Sequence, residues 1–258
     1  MKLKVMTFNL RMDVESDGMN YFPHREPRVL ETIRAEMPDL IGFQEASDYI
    51  RAFLKKSLSP EYTVVGCGRQ QDYRGEACCI AFRNDCFELI SLNTHFLSTS
   101  PEIPATRYVG SDQSRCPRLY VHAVLSHSRL AKPIHFLNTH LDHKGAQAQF
   151  LGMNQIMQEV STISGQFVLT GDMNAKPDSA CIALPTSMQN REIKEATANI
   201  PYTFHNFGRL VGEERWKIDY IFTDAEPIEA YAIEDESVDG VYISDHYPVC
   251  AEIEFEEV

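Results

Sequence analysis

The 258-residue chain (29.4 kDa) is 43% apolar and 24% charged, the balance of a folded globular protein, which excludes a disordered chain, a fibre and a disulfide-dense miniature. Thirty-seven Asp and Glu against 24 Lys and Arg give a formal net charge of −13, which excludes a protein that grips a polyanion by bulk electrostatics.

Short runs of β-branched and aromatic residues mark strands, and apolar residues at helical spacing mark helices. Leu3–Asn9 is the first predicted strand. A helix follows over Arg25–Met37, with Val29, Leu30, Ile33 and Met37 at helical spacing and Pro38 ending it. Leu40–Gln44 reads as a strand, Ala46–Leu58 as a helix, and Tyr62–Cys67, Cys78–Arg83 and Phe87–Thr94 as strands. The stretch from about Ser98 to Pro117 has turn formers and no period, and is expected to be a long surface loop. Strands are predicted again at Arg118–Ser126 and Ile134–Thr139, a helix at Ala146–Ser161, and strands at Phe167–Gly171, Ile218–Thr223, Ala230–Ala232 and Val249–Phe255. Many strands with few helices predict two packed sheets flanked by helices. No linker, repeat or low-complexity tract interrupts residues 1–258, which read as a single domain.

Seven cysteines without a CxxC pair read as buried thiols in a reducing compartment, with adjacent Cys78 and Cys79 facing opposite sides of a strand. The N-terminus lacks a signal-peptide pattern and no run is long and apolar enough to span a membrane, so a cytoplasmic location is expected. The negative charge is unevenly placed. No Lys or Arg follows Lys217, and 13 acids lie from Asp219 onward. They form either a solvated acidic rim or, in part, ligands for a cation.

Five apolar strands run straight into ligand-type residues: Met6-Thr7-Phe8-Asn9, Leu40 to Gln44-Glu45, Phe136 to Asn138-Thr139-His140-Leu141-Asp142-His143, Val168 to Gly171-Asp172-Met173-Asn174, and Ile243-Ser244-Asp245-His246 before the last strand. A sixth segment, Lys217-Ile218-Asp219-Tyr220, puts a lone carboxylate inside an apolar run. Each has an ordinary structural explanation: Asn9 as a turn residue, Glu45 as a helix cap, His246 as a satisfied buried imidazole. Their recurrence at strand ends, which converge at one edge of a sheet, points instead to a single cleft. Carboxylates, a carboxamide and histidines without thiolates suit Mg²⁺ or Mn²⁺ better than zinc. Buried Asp219 needs a partner, and a histidine oriented by it would be a base-orienting pair.

On the residues Phe8-Asn9, Gln44-Glu45, Asn138-Thr139-His140, Gly171-Asp172-Met173-Asn174, Ile218-Asp219-Tyr220-Ile221-Phe222 and Ser244-Asp245-His246, in that order from end to end, the chain resembles the endonuclease/exonuclease/phosphatase superfamily of metal-dependent phosphoesterases. The run Gly171 to Ser179, together with Thr203-Phe204-His205, Gly75-Glu76 and Cys116-Pro117-Arg118, is similar to bacterial members near the deadenylase/nocturnin-like branch. The resemblance implies an α/β fold, a four-layer sandwich with two central mixed β-sheets flanked by helices.

Residue by residue, it implies Glu45 as principal metal ligand with Asn9 beside it and Asp245 adding a contact. It implies Asp172 as orienter or base for the attacking water and Asn174 as its support. His140 and His246 become phosphate-binding donors, with Asp219 orienting His246. Either Asp172 or His246 serves as the general base. Arg118 and Arg107 are candidate phosphate contacts, with Glu76 and His143 expected beside the substrate. Asp142 and His143 either tune the substrate or a second metal, or are polar loop residues. His95 either faces the pocket or is solvated.

The expected function is Mg²⁺-dependent hydrolysis of phosphate esters by in-line attack of water, with Mn²⁺ able to substitute. The expected substrate is a small phosphorylated metabolite or short nucleotide, because the chain lacks a basic stripe with interleaved aromatics. No membrane partner and no stable binding of long nucleic acid are expected. The competing readings are a nuclease acting on RNA or DNA and, on the same fold, a non-catalytic binding module.

Overall fold

The computed structural model describes residues 1–258. Along the first half of the chain lie β1 (Lys2–Asn9), α1 (Phe22–Glu36), β2 (Leu40–Ala46), α2 (Asp48–Ser57), β3 (Tyr62–Gly68), β4 (Ala77–Arg83), β5 (Glu88–Phe96) and β6 (Leu119–Ser126). The second half adds β7 (Ile134–His140), α3 (Ala146–Thr162), β8 (Phe167–Asp172), α4 (Ala180–Thr186), β9 (Lys194–Glu195), β10 (Asp219–Thr223), β11 (Glu226–Ala232) and β12 (Val249–Glu254).

The strands form two six-stranded mixed sheets, ordered β11-β12-β1-β2-β4-β3 and β5-β6-β7-β8-β10-β9. In each, one central pair is parallel, β1 with β2 and β7 with β8, and every other pairing is antiparallel. Three apolar layers hold the stack. Leu3, Val5, Val121, Phe136, Val168 and Ile253 belong to the layer between the sheets. Met6, Phe8, Ile33, Phe43 and Leu54 pack the first sheet against α1 and α2. Leu137, Met153, Ile156, Leu169 and Tyr220 pack the second against α3 and α4. The result is the expected four-layer α/β sandwich. Cys78 lies in the inter-sheet layer and Cys79 in the helix-facing one, as strand alternation requires, and all seven cysteines are unpaired.

Local chemistry explains where the elements depart from expectation. Helix α1 begins three residues early because Pro23, at its N-terminus, needs no amide partner there. Ala46 ends a strand instead of starting a helix. Ser47 caps α2 by accepting a hydrogen bond from Ile50 N–H (3.2 Å), with Lys55 and Lys56 in the last turn. Two elements have no signal in the sequence pattern: the two-residue β9 and the seven-residue α4, which contains Pro185. No helix is long and apolar enough to cross a membrane.

A polar pin crosses the apolar layer between the sheets. Gln44 Nε2 donates to Asn138 Oδ1 (2.7 Å), and Asn138 Nδ2 donates to the carbonyls of Phe43 (2.8 Å) and Cys79 (2.9 Å). Thr170 Oγ1 also donates to Asn138 Oδ1 (3.1 Å), and all three side chains are fully buried. Gly42 makes this approach feasible, since a Cβ there would collide with Thr170 Oγ1 and Asn138. The pin stands one or two residues behind Glu45, His140 and Asp172, at the carboxyl ends of the two parallel pairs. In mixed and parallel sheets that end is where ligands bind.

Most of the C-terminal acids form a solvated rim. Glu226 pairs with Lys194, Glu234 with Arg215 and Glu257 with Arg129, all partly exposed. Asp219 and Asp245 are the buried exceptions: Asp245 lines the cleft described next, and Asp219 stands just behind its wall.

Candidate active site

A cleft of about 420 Å³ opens over these strand ends. The first sheet contributes Asn9 and Glu45. The Asn9 amide nitrogen donates to Asp172 Oδ2 (2.9 Å) and lies 3.4 Å from Glu45 Oε1, while its oxygen accepts from Arg11 N–H (2.9 Å). Glu45 Oε2 accepts from Met12 N–H (3.0 Å). The second sheet contributes His140 and Asp172 side by side, the last rung of the parallel β7/β8 ladder. Asp172 Oδ1 accepts from Asn174 N–H (2.8 Å), and Asn174 Nδ2 donates to the Leu141 carbonyl (3.1 Å).

Asp219 lies opposite Asp172 in the antiparallel β8/β10 ladder, and its Oδ2 accepts from His246 Nδ1 (2.8 Å). That bond leaves His246 Nε2 toward the cleft, 3.9 Å from Asp172 Oδ2 and 4.0 Å from Asp245 Oδ1. Thr203 Oγ1 accepts from the backbone N–H groups of Ile218 and Asp219, and the edge of Phe204 packs on His246 at 4.9 Å between centroids. The expected carboxylate–histidine pair is therefore present.

Burial and charge set the protonation states. Burial alone lowers His246, but the carboxylates of Asp219, Asp245 and Asp172 outweigh it and raise it to about 10. Burial, helped by the charge of Asp219, raises Asp172 to about 6. His140 is held below the ordinary imidazole value by burial and by Arg118. It stands between Glu76 Oε1 (3.2 Å from Nδ1) and Asp172 Oδ2 (3.3 Å from Nε2). Burial pushes Glu76 up, but the facing His140 ring (3.2 Å) and the charges of Arg118 (3.0 Å) and Arg69 (2.6 Å) hold it at about 2.

Backbone strain concentrates here. Of nine non-glycine residues with positive φ, five line the cleft: Arg11 (51°), Glu45 (58°), Asn174 (49°), Asn206 (51°) and Phe207 (53°). Each such conformation costs about 1–3 kcal/mol and persists where surroundings over-determine it, commonly at functional sites.

The structure brings together Asn9, Glu45, Glu76, Arg118, His140, His143, Asp172, Asn174, Asp219, Asp245 and His246. Asn9 and Asp219 stand behind the cleft wall as partners of the groups that face it. Arg107 is not brought in. Its guanidinium donates to the Ser114 carbonyl (2.9 Å) of its own loop. Asp142 is a loop residue, its carboxylate filled by N–H groups of Ser114, Lys144 and Gly145. His95 pairs with Glu102 (2.8 Å) away from the cleft.

Arg25 stands outside the motifs quoted above. It is fully buried, and its guanidinium donates to the carbonyls of Asn20 (2.6 Å), Leu10 (2.6 Å), Arg11 (2.8 Å) and Ile243 (2.9 Å). It thus ties the loop after Asn9 to the segment carrying Asp245 and His246. The sequence held a signal: Phe22, Arg25, Val29 and Ile33 share one helical face, so Arg25 is a charge on an apolar stripe.

The donor set fits a hard divalent cation. Glu45, Asp172, Asp219 and Asp245 outnumber the charges of Arg11 and His246 near them, and Asp219 Oδ1 is buried with no hydrogen-bond partner. Asp172, Asp219 and His246 alone present ligand atoms within 4.8 Å of one another. The oxygen-rich composition favours a hard ion over zinc.

Comparison with known proteins agrees with this fold. The model of the Endonuclease/Exonuclease/phosphatase family matches residues 6–246. The chain is similar to an endonuclease/exonuclease/phosphatase protein from Bacteroides vulgatus, at 29% identity and TM-score 0.91 over 99% of this chain and 100% of that one. It shares its fold with the mannosyl-6-phosphatase Bt3783 of Bacteroides thetaiotaomicron, at 23% identity and TM-score 0.81 over 98% of this chain and 100% of that one. It also shares its fold with D. rerio TDP2 complexed with single-strand DNA product, at 16% identity and TM-score 0.77 over 98% and 99% of the two chains. No curated protein matches the sequence.

Proposed function

We propose, on the premise that this chain belongs to the endonuclease/exonuclease/phosphatase family and is a hydrolytic phosphoesterase, that it cleaves phosphate esters of small phosphorylated metabolites or short nucleotides with Mg²⁺. Residues 1–258 act as one catalytic domain, in a cytoplasmic setting consistent with seven unpaired cysteines. The observation that carries the reading is the Asp219–His246 pair facing Asp172 and His140 across a carboxylate-rich cleft.

Glu45 and Asp245 would hold the ion, with Asn9 fixing Glu45 and Asp172 relative to it. Bound there, Mg²⁺ would neutralise charge developing on the phosphoryl oxygens. Asp172 orients the attacking water and takes its proton, its own position set by the Asn174 N–H and the Asn9 amide. His246, its Nδ1 proton held by Asp219, presents Nε2 as a charged donor to a phosphoryl oxygen. His140 is a neutral donor to the same group, and Asn174 steadies the water. Arg118 and His143, 3.2 Å apart on the cleft wall, contact the substrate from the side. The modest cleft volume and the net charge of −13 support a small substrate over a long nucleic acid. A relative of the same fold that acts as a mannosyl-6-phosphatase points the same way.

The test is a hydrolysis panel of sugar phosphates, a generic monoester, a generic diester, short RNA and DNA, each with Mg²⁺, Mn²⁺ or EDTA. Metal-dependent turnover of a small phosphate ester is expected. Turnover that persists in EDTA, or none on any ester, overturns the reading, and preference for the nucleic acids selects the nuclease alternative.

A further inference from the structure

One wall of the cleft lies outside the machinery above. It is the turn after Thr203-Phe204-His205, where Asn206, Phe207 and Gly208 take three successive left-handed conformations (φ 51°, 53° and 72°). The strain is held from three sides. The backbone N–H groups of His205 and Asn206 both donate to the Asp245 carbonyl at 3.0 Å. The His205 ring stacks on Tyr247 (4.2 Å, 12°), and its Nδ1 accepts from Gly208 N–H (3.0 Å). At Gly208 a Cβ would collide with the Tyr242 hydroxyl. The turn is therefore locked to the backbone of Asp245 while its side chains border the cleft.

Those side chains are unspent. Asn206 makes no side-chain hydrogen bond, and the Arg209 guanidinium has no carboxylate partner. The other three arginines of the cleft do: Arg11 pairs with Asp17 (2.9 Å), Arg69 with Glu76 (2.6 Å) and Arg118 with Glu76 (3.0 Å). Beside this turn Trp216, bridged to Phe204, lines the cleft at 44% exposure, with the unpaired Lys176 ammonium 4.9 Å from its ring centre. The wall thus offers one uncommitted guanidinium, a free carboxamide and an indole whose ring carries the Lys176 ammonium. An unpaired guanidinium on a rigid turn suits an anionic group, for which Arg offers a planar fork of donors.

We infer that this wall is a second anion subsite, and that the substrate is a small phosphate ester carrying a further phosphate or carboxylate. That group is held by Arg209 and Asn206, with the body of the molecule against Trp216. This rests on the phosphoesterase reading of the adjoining site.

The test compares fructose 6-phosphate, fructose 1,6-bisphosphate and 6-phosphogluconate, which carry no second anion, a second phosphate and a carboxylate. Wild-type kcat/KM should favour the doubly anionic esters at least tenfold, and the ratio should fall to near one in Arg209→Gln, the loss appearing in KM. Preference for the bisphosphate over the phosphogluconate, or the reverse, identifies the second group. Binding is read separately. Trp216 is the only tryptophan, so its emission reports on this wall. Methylenediphosphonate should quench it with a Kd at least tenfold tighter in wild type than in Arg209→Gln or Asn206→Ala, and methylphosphonate should not discriminate among the three. A substrate ratio or a diphosphonate Kd that is the same in wild type and Arg209→Gln overturns the inference. Failure of every ester in wild type overturns instead the phosphoesterase reading, leaving the fluorescence titration to judge the subsite.

Discussion

Asn9 on the first sheet and Asp172 on the second, 163 residues apart in sequence, are joined by an amide–carboxylate hydrogen bond of 2.9 Å. The same amide lies 3.4 Å from Glu45. One small side chain thus sets the spacing between the group assigned to the ion and the group assigned to the water. Truncating it leaves Asp172 buried with one donor fewer. We expect Asn9→Ala to lower kcat by about 10²–10³ and the melting temperature by a few degrees, and Asp172→Asn to lower kcat by about 10³–10⁴ with a melting temperature near wild type. Steady-state kinetics beside circular-dichroism melts would check this. A kcat for Asn9→Ala within twofold of wild type would remove the bond from the mechanism.

His246 should titrate far from an ordinary imidazole when no metal is bound. Its folded value of about 10 lies above the reference 6.5, so its contribution to stability is complete below pH 6.5 and is lost as pH rises through 10. Asp172, raised from 3.8 to about 6, has the same sign over that lower window. Glu76, lowered from 4.5 to about 2, has the opposite sign, and its contribution disappears as pH falls below 4.5. The metal-free protein should therefore melt at progressively lower temperature from pH 6.5 to 10, and His246→Gln should flatten that slope. NMR should find one imidazole still protonated at pH 8. A His246 ring titrating between pH 6 and 7 would sink this account.

Arg25→Lys should be damaging although it keeps the charge. An ammonium has three donors and cannot match four carbonyls placed around a planar guanidinium. We expect a folded, less stable enzyme with kcat reduced about 10- to 100-fold through misplacement of Glu45 relative to His246. Mg²⁺ affinity measured calorimetrically should weaken in parallel. A variant that loses stability but keeps both kcat and metal affinity would make Arg25 structural alone.

The inter-sheet pin predicts two further losses. Asn138→Leu strands the Gln44 amide and the carbonyls of Phe43 and Cys79 in an apolar layer, a cost of about 3 kcal/mol or more. Gly42→Ala pushes a methyl into Thr170 and Asn138, where overpacking costs about 1–3 kcal/mol. Urea unfolding would measure both. A Gly42→Ala protein as stable as wild type would mean the sheets separate more easily than their packing implies.

The layering and the groups that converge on the cleft were legible in the sequence because strands that end in Asn, Glu, His or Asp leave a repeated mark. The turn at 206–208 left none, because left-handed Asn206 and Phe207 depend on tertiary anchors such as Asp245 and Tyr247. Asp142 shows the converse. It sits in the right motif, yet the Ser98–Pro117 loop folds back and spends its carboxylate on Ser114, a contact that spacing cannot foretell. Arg107 lies in that same loop, and its position depends on how an aperiodic segment packs.

The two sheets have one plan. Reading β11-β12-β1-β2-β4-β3 beside β5-β6-β7-β8-β10-β9, each strand has a counterpart with the same partners and directions, and α1 and α2 fall where α3 and α4 do. The halves are topological twins, and the last rung Asn9–Gln44 of one corresponds to His140–Asp172 of the other. At equivalent places, then, one twin carries neutral amides that bind and brace, and the other carries the ionisable pair that handles protons. The scaffold is symmetric and the chemistry is not. Substitutions that alter how the ion is held should fall mainly in the half that carries Asn9 and Glu45, and those that alter the proton transfer assigned to Asp172 in the other.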